Sequence, residues 1–321
     1  MKNLTKGDLW LAQLMLLAVA MVWGSSYGVS KSALLFYPVL GFLALRFLIT
    51  FALLLPRFLR YSRPEQANSI RTGTPLGLLI AAIFVCETYG VTQTSASNAA
   101  FLISLCLPLT PLAQWLLLGQ KPEPRTWYWL ALALLGAALL SGFAAQKAQL
   151  NRGDVLIFGA AILRAVVVTL TRKLTLAHPA PALGLSTIQT GIVGMSMLAI
   201  ALVAIPIHQL QLPNAPDFWV KLIYLIMFCT LFAFFAQNWA ASRLAPTRVA
   251  ILLGLEPLFG ALYGVGILGE QMSSSALIGA GLMLVAVLGL TGVWEGLCGS
   301  VLQMRQYAVR GVAARREASR Q

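Results

Sequence analysis

Polar residues in this chain gather in short clusters between long apolar runs. A hydrocarbon core about 30 Å thick takes about 20 residues of helix at a rise of about 1.5 Å each. Ten stretches reach that length, at roughly 10–30, 37–56, 75–94, 98–118, 127–144, 155–171, 182–206, 219–241, 249–268 and 275–294. The pattern predicts an all-α polytopic membrane protein with ten transmembrane helices. Lys2 and Lys6 precede the first run, as in a secretory leader. That run is too long for a leader, and Trp23 and Tyr27 stand where small cleavage-site residues belong, so it is expected to be a retained helix.

Charge then orients the helices. On one side of the predicted spans lie Lys2, Lys6, Arg57, Arg60, Arg63, Arg71, Lys121, Arg125, Arg172, Lys173, Arg243, Arg248, Arg305, Arg310, Arg315, Arg316 and Arg320, 17 in all. The other side carries 4: Lys31, Lys147, Arg152 and Lys221. Positive residues stay inside, so both termini are expected in the cytoplasm. An even number of spans is then required.

Composition narrows the class further. Of 321 residues 59% are hydrophobic and 10% charged, against about 25% charged in soluble domains. The net charge of +13 does not point to nucleic acid, because the basic residues are scattered between apolar runs instead of lining one face. Cys86, Cys106 and Cys229 lie inside apolar runs, and Cys298 lies near the basic tail; the thiols read as small buried hydrophobes. With only His178 and His208 added, no metal-ligand spacing occurs, and neither a metal nor a cofactor is expected. The expected partners are a small-molecule solute, the lipid bilayer and protons. Monomer and homodimer remain equally open.

An internal repeat organises the spans. Residues 94–120, TSASNAAFLISLCLPLTPLAQWLLLGQ, align without gaps on 244–270, LAPTRVAILLGLEPLFGALYGVGILGE. Ala100/Ala250, Leu102/Leu252, Leu105/Leu255, Leu112/Leu262, Leu118/Leu268 and Gly119/Gly269 coincide. The following helices match as LLGAALL at 134–140 and LIGAGLM at 277–283. The expected division is a first five-helix repeat over 1–147, a second over 148–296, and a basic cytoplasmic tail over 297–321. Five is odd, so the second half enters the membrane from the opposite side. Inverted repeats of this kind are the recurring architecture of secondary transporters.

The same stretches resemble the ten-helix, EamA-type members of the drug/metabolite transporter superfamily. The resemblance rests on Trp23-Gly24-Ser25-Ser26-Tyr27, Arg46-Phe47, Thr94-Ser95-Ala96-Ser97 and Gly153-Asp154, and most specifically on three later segments. These are Gln237-Asn238-Trp239-Ala240, Glu256-Pro257-Leu258-Phe259 and Leu268-Gly269-Glu270. Gln120 replaces the Glu usual in the first half, and Arg164 stands where a neutral or aromatic residue is usual. The resemblance implies export of metabolites, amino acids or drugs, commonly by exchange with protons, across the cell inner membrane.

Ionised groups in the spans are costly, about 2.5–3.5 kcal/mol each at mid-membrane, so they are the first candidates for function. Arg46, Glu87, Arg164 and Glu256 are the four, and two acids can balance two bases in pairs. A buried carboxylate is a candidate proton carrier, which singles out Glu256 and Glu87. Pro257 lacks an N–H and frees the carbonyl of Leu253 beside Glu256, while Pro108 and Pro111 loosen the equivalent helix. Arg164 points to a carboxylate-bearing solute, because guanidinium matches that geometry. Trp23, Tyr27, Trp115 and Tyr263 are candidate cavity aromatics, and Asn98, Gln189, Gln237 and Asn238 candidate amides. Gly24-x-x-x-Gly28 and Gly260-x-x-x-Gly264 are sites of close helix approach.

The expected function is therefore secondary active export of small organic metabolites, amino acids or related amphipathic compounds and drugs, by alternating access with proton antiport. No G-x-x-x-x-G-K-[ST] loop supplies ATP. Import of a small solute is the alternative, followed at a distance by a sensor or assembly subunit. An enzyme is not expected, since no His or Lys lies at usable depth beside Ser25, Ser26 or Ser104.

Overall fold

A computed structural model describes residues 6–91, 93–94, 101–141, 151–269 and 272–291, and among them every regular element is helical. The first half contains α1 (Lys6–Ala33), α2 (Val39–Phe58), α3 (Arg63–Val91), α4 (Cys106–Leu118) and α5 (Pro124–Leu140). The second contains α6 (Arg152–Ala177), α7 (Ala182–Ala204), α8 (Pro216–Ala241), α9 (Pro246–Leu253), α10 (Glu256–Leu268) and α11 (Ser274–Thr291). Eight helical stretches among the described residues are long and apolar enough to cross a membrane, α9 and α10 together forming one. The two remaining helices, α5 and α11, have 17 and 18 residues.

Local chemistry sets the helix ends. Asn151 and Asp154 form a reciprocal capping box at the start of α6, each side chain accepting from the other residue's backbone N–H. Pro124, Pro216 and Pro246 occupy first-turn positions, where a missing N–H costs no helical bond. Gly119 and Gly269 end α4 and α10 with φ of 69° and 70°, a left-handed conformation that glycine adopts without a Cβ clash. The two glycines are equivalent in the repeat, and each closes a helix of 13 residues.

The repeat is visible in the packing. α2 lies on α7, with Gly191 against Phe51 and Gly194 against Leu48, so these counterparts run antiparallel. α5 lies on its counterpart α11. A Cβ on Gly136 would fall 2.7 Å from the Gly279 carbonyl, and one on Gly279 would fall 2.5 Å from the Gly136 carbonyl. These glycines are equivalent in the LLGAALL and LIGAGLM segments. A position that touches its own counterpart lies on the axis relating the two halves. α3 packs on α6 and α7, α1 on α8, α9 and α10, and α4 on α6 and α9. One buried cluster joins Leu16, Leu107, Leu130, Leu252, Leu255 and Met283; another joins Phe42, Phe47, Met197, Phe218 and Leu222.

Two expectations about the spans are corrected, and one span has an irregular winding. The third helix begins at Arg63 rather than near 75, because Glu65 accepts from the backbone N–H and hydroxyl of Ser62 and starts a helix through polar residues. The run expected at 249–268 is divided at Gly254–Leu255 into α9 and α10. α8 winds as a π-helix over Leu225–Phe232. The tail 297–321 lies outside the described residues.

Candidate functional site

Three of the four intramembrane charges meet. Arg164 of α6 donates from Nε to Glu87 Oε1 of α3 at 2.7 Å, and its Nη1 lies 3.5 Å from Glu256 Oε2 of α10. α3 and α6 come this close because Gly153 and Gly90 pack backbone to backbone; a Cβ on Gly153 would fall 2.7 Å from the Gly90 carbonyl. Arg164 and Glu87 keep 26% and 20% of their side-chain surface, Glu256 only 9%. Glu256 is therefore the most deeply buried of the three.

A break in the helix delivers Glu256. Gly254 N–H still bonds to the Ala250 carbonyl at 2.7 Å, but Leu255 N–H reaches only to Leu252 at 3.4 Å, a tighter turn. Pro257 has no N–H to give the carbonyl of Leu253, and the helix restarts at Glu256. α1 packs directly on this restart: a Cβ on Gly24 would fall 2.7 Å from the Glu256 carbonyl and 2.6 Å from Gly260 N. The first half repeats the device. Leu105 interrupts the helix, and α4 restarts at Cys106, the counterpart of Glu256. Cys106 lies within electrostatic reach of Arg164, Glu256 and Glu87. Both restarts thus converge on one polar centre. Pro108 and Pro257 fall in the first turns of α4 and α10, while Pro111 lies within α4.

Among the described residues Arg46 pairs with no acid, so the expected balance in pairs is corrected: both carboxylates face Arg164. Arg46 is 6% exposed and points at the π-helical turn of α8. Its Nε donates to Thr230 Oγ1 at 2.6 Å, and Nη2 to the Cys229 carbonyl at 3.0 Å. The same carbonyl accepts from Trp23 Nε1 at 2.8 Å. Nearby, Ser25 Oγ and Tyr224 OH share a hydrogen bond of 2.7 Å, and Cys229 Sγ donates to the Val22 carbonyl at 3.2 Å. α1 and α8 therefore meet along a polar seam. Thr230, Cys229 and Tyr224 were not legible as site residues. They sit in an apolar run, and a π-turn has no sequence signature of its own.

The remaining candidates scatter. Gln189 and Asn238 are buried against each other: Asn238 Nδ2 donates to Gln189 Oε1 at 2.7 Å, Gln189 Nε2 returns to Asn238 Oδ1 at 3.3 Å, and Asn238 also reaches Ser186 Oγ at 3.1 Å. That pair clamps α7 to α8. Gln237 and Tyr263 are half-buried. Trp115 is 45% exposed with the Lys121 ammonium 5.6 Å from its ring, an outward position away from the charges. Tyr27 lies on α1, but its side chain is outside the described structure, as is all of Asn98. Thr94 and Asp154, both in resemblance segments, are joined by a hydrogen bond that ties the end of α3 to the start of α6.

Comparison with known proteins gives the family and the fold. The EamA-like transporter family matches residues 10–142 and 151–292, once per half. A transporter of Archaeoglobus fulgidus is 27% identical over 281 residues, covering 86% of this chain and 84% of the relative. The Escherichia coli threonine/homoserine exporter RhtA is 25% identical over 301 residues, covering 90% and 94%. The Escherichia coli inner membrane transporter YedA is 25% identical over 278 residues, covering 86% and 89%. A crystal structure 18% identical in sequence superposes with a TM-score of 0.68 over 89% of this chain and 98% of the other, which shows the shared fold. The chain belongs to the EamA-like transporter family and is a multi-pass membrane transporter.

Proposed function

We propose that this transporter is a secondary exporter of small organic solutes, amino acids or related amphipathic compounds, that works by alternating access with proton antiport in the cell inner membrane. In this reading ten spans form two inverted five-helix halves, 1–147 and 148–296, with both termini in the cytoplasm. The observation that carries it is one arginine, Arg164, shared by two carboxylates at 2.7 and 3.5 Å. With both acids ionised the cluster holds one excess negative charge. Inside a membrane that excess favours a cation, and either a proton or a solute ammonium satisfies it.

Competition between those two cations for one carboxylate is the elementary step of antiport. Glu256 is the better placed carboxylate. Its contact to Arg164 is the longer one, and it sits on the first residue of a restarted helix that bends without breaking further hydrogen bonds. Glu87 stays with Arg164. The name of RhtA, a threonine/homoserine exporter similar along most of its length, supports an amino-acid-like solute.

The test is threonine flux by purified protein in proteoliposomes under an imposed pH gradient. Glu256→Gln is expected to weaken threonine counterflow, because the solute ammonium loses its carboxylate, and to abolish the response of the remaining flux to the gradient. A gradient response equal to that of the unsubstituted protein removes Glu256 as the proton carrier.

A further inference from the structure

The face shared by α2, α3 and α7 carries a groove that transport does not use. Phe51 of α2, Ile70 and Thr74 of α3, and Ile188, Met195 and Ser196 of α7 line it, and its volume is about 390 Å³, within the range of about 300–1,000 Å³ of ligand sites. Ile70 and Met195 are 49% and 59% exposed, so the groove opens outward, toward lipid. Glycines set the depth of the α3–α7 contact. A Cβ on Gly73 would fall 2.8 Å from Ile188 Cβ, and one on Gly77 would fall 3.0 Å from Ile192 Cβ. Ser69 meets Gly184 with the same offset in number, so α3 and α7 run parallel and in step. On that register Ser196 stands level with Ala81. The groove then extends from the level of Ile70 to that of Ala81, about 16 Å at about 1.5 Å per residue. One leaflet of a core about 30 Å thick is about as deep.

Positive charge gathers at the Ile70 end of this groove. Residues 57–71 carry Arg57, Arg60, Arg63 and Arg71 against one acid, Glu65. That acid accepts from Ser62 and lies within electrostatic reach of Arg57. Arg63 and Arg71 are exposed, and among the described residues no acid lies within ion-pair distance of either. Arg63, Ile70 and Thr74 share one face of α3, being seven and four residues apart. Arg71 stands three residues before Thr74, on the same side. Arg63 therefore lies about 10 Å beyond the groove along the helix axis, on the headgroup side of the leaflet that the groove spans. We infer that the groove holds an acyl chain of an anionic phospholipid whose phosphate is taken by Arg63 and Arg71. An apolar groove alone accepts any lipid, and two arginines alone accept any phosphate; an anionic phospholipid answers both.

Native mass spectrometry of the detergent-purified protein, titrated with dioleoyl phosphatidylglycerol or dioleoyl phosphatidylcholine, counts the lipid retained per chain. The unsubstituted protein is expected to retain one phosphatidylglycerol in preference to phosphatidylcholine, by about 5-fold for each arginine engaged. Arg63→Gln combined with Arg71→Gln is expected to bring that ratio near one while phosphatidylcholine retention stays. Met195→Trp, which fills the groove, is expected to lower retention of both lipids. Leu78→Trp adds bulk at an exposed α3 position outside the groove and is expected to change neither. Equal retention of the two lipids by the unsubstituted protein overturns the proposal without any variant, and so does an unmoved ratio in the arginine variant. Met195→Trp indistinguishable from Leu78→Trp overturns the groove as the chain's seat. Displacement of the bound lipid by glycerol 3-phosphate alone makes the arginines a free-phosphate site and overturns the lipid assignment.

Discussion

Gly24→Ala tests whether α1 is seated directly on the Glu256 restart. The new Cβ would lie 2.6 Å from Gly260 N, 2.7 Å from the Glu256 carbonyl and 2.8 Å from Phe259 Cβ. None of these atoms is the far end of a flexible side chain, so the backbone itself has to yield. The closest contact must grow from 2.6 Å to at least 3.4 Å before it becomes ordinary. Overpacking of this kind costs about 1–3 kcal/mol, while alanine's helix preference returns just under about 1 kcal/mol. Gly281→Ala in α11 meets nothing within 4 Å and carries the propensity gain alone. The difference between the two variants therefore isolates the packing term, at about 1–3 kcal/mol. Denaturation of purified protein in mixed micelles measures it, and transport measures the accompanying shift of Glu256. A Gly24→Ala protein as stable as Gly281→Ala would refute the backbone contact.

Gln189→Leu is expected to cost about 1–3 kcal/mol, because it strands Asn238 Oδ1 in a buried seam and leaves Nδ2 only its bond to Ser186. Adding Asn238→Leu is expected to cost less than the sum of the two single changes, as coupled partners do, again read by micelle denaturation. Asp154→Ala removes one arm of the α6 capping box and is expected to cost about 1 kcal/mol. It also frees Thr94, so faster hydrogen exchange at the first turn of α6 is the local check.

Hydropathy and repetition reveal the frame because they depend on composition along the chain. The 94–120 and 244–270 match becomes two 13-residue helices ending in left-handed Gly119 and Gly269. Gly24 and Gly260 meet as the small-residue pattern requires. The polar start of α3 was missed because 63–74 carries capping and propensity but no apolar run. The charged positions were legible from their cost in lipid; their partners were not. Helices that are apolar on nearly every face give little sign of their rotation, so nothing in the spacing told that Arg164 would face both acids and Arg46 neither. Trp115 shows the same limit: an aromatic in a span reads alike whether it faces a cavity or lies 45% exposed beneath Lys121.

Symmetry of backbone and asymmetry of charge together explain how such a site can switch. The two restarts at Cys106 and Glu256 are equivalent in position, and Gly136 meets Gly279 on the axis between the halves. A symmetric frame of this kind admits two arrangements of similar energy, each the inverse of the other. Were the side chains equally symmetric, neither a proton nor a solute would favour one arrangement. Here one restart carries a thiol and the other a carboxylate, and Arg164 leans toward Glu87 at 2.7 Å over Glu256 at 3.5 Å. Neutralising Glu256 removes the weaker half of the Arg164 clamp and leaves the stronger half intact. A ligand shifts an equilibrium only by its differential affinity for the two states. In the proposed antiport, the single carboxylate at one restart is where a bound cation would gain that differential grip on an otherwise balanced pair.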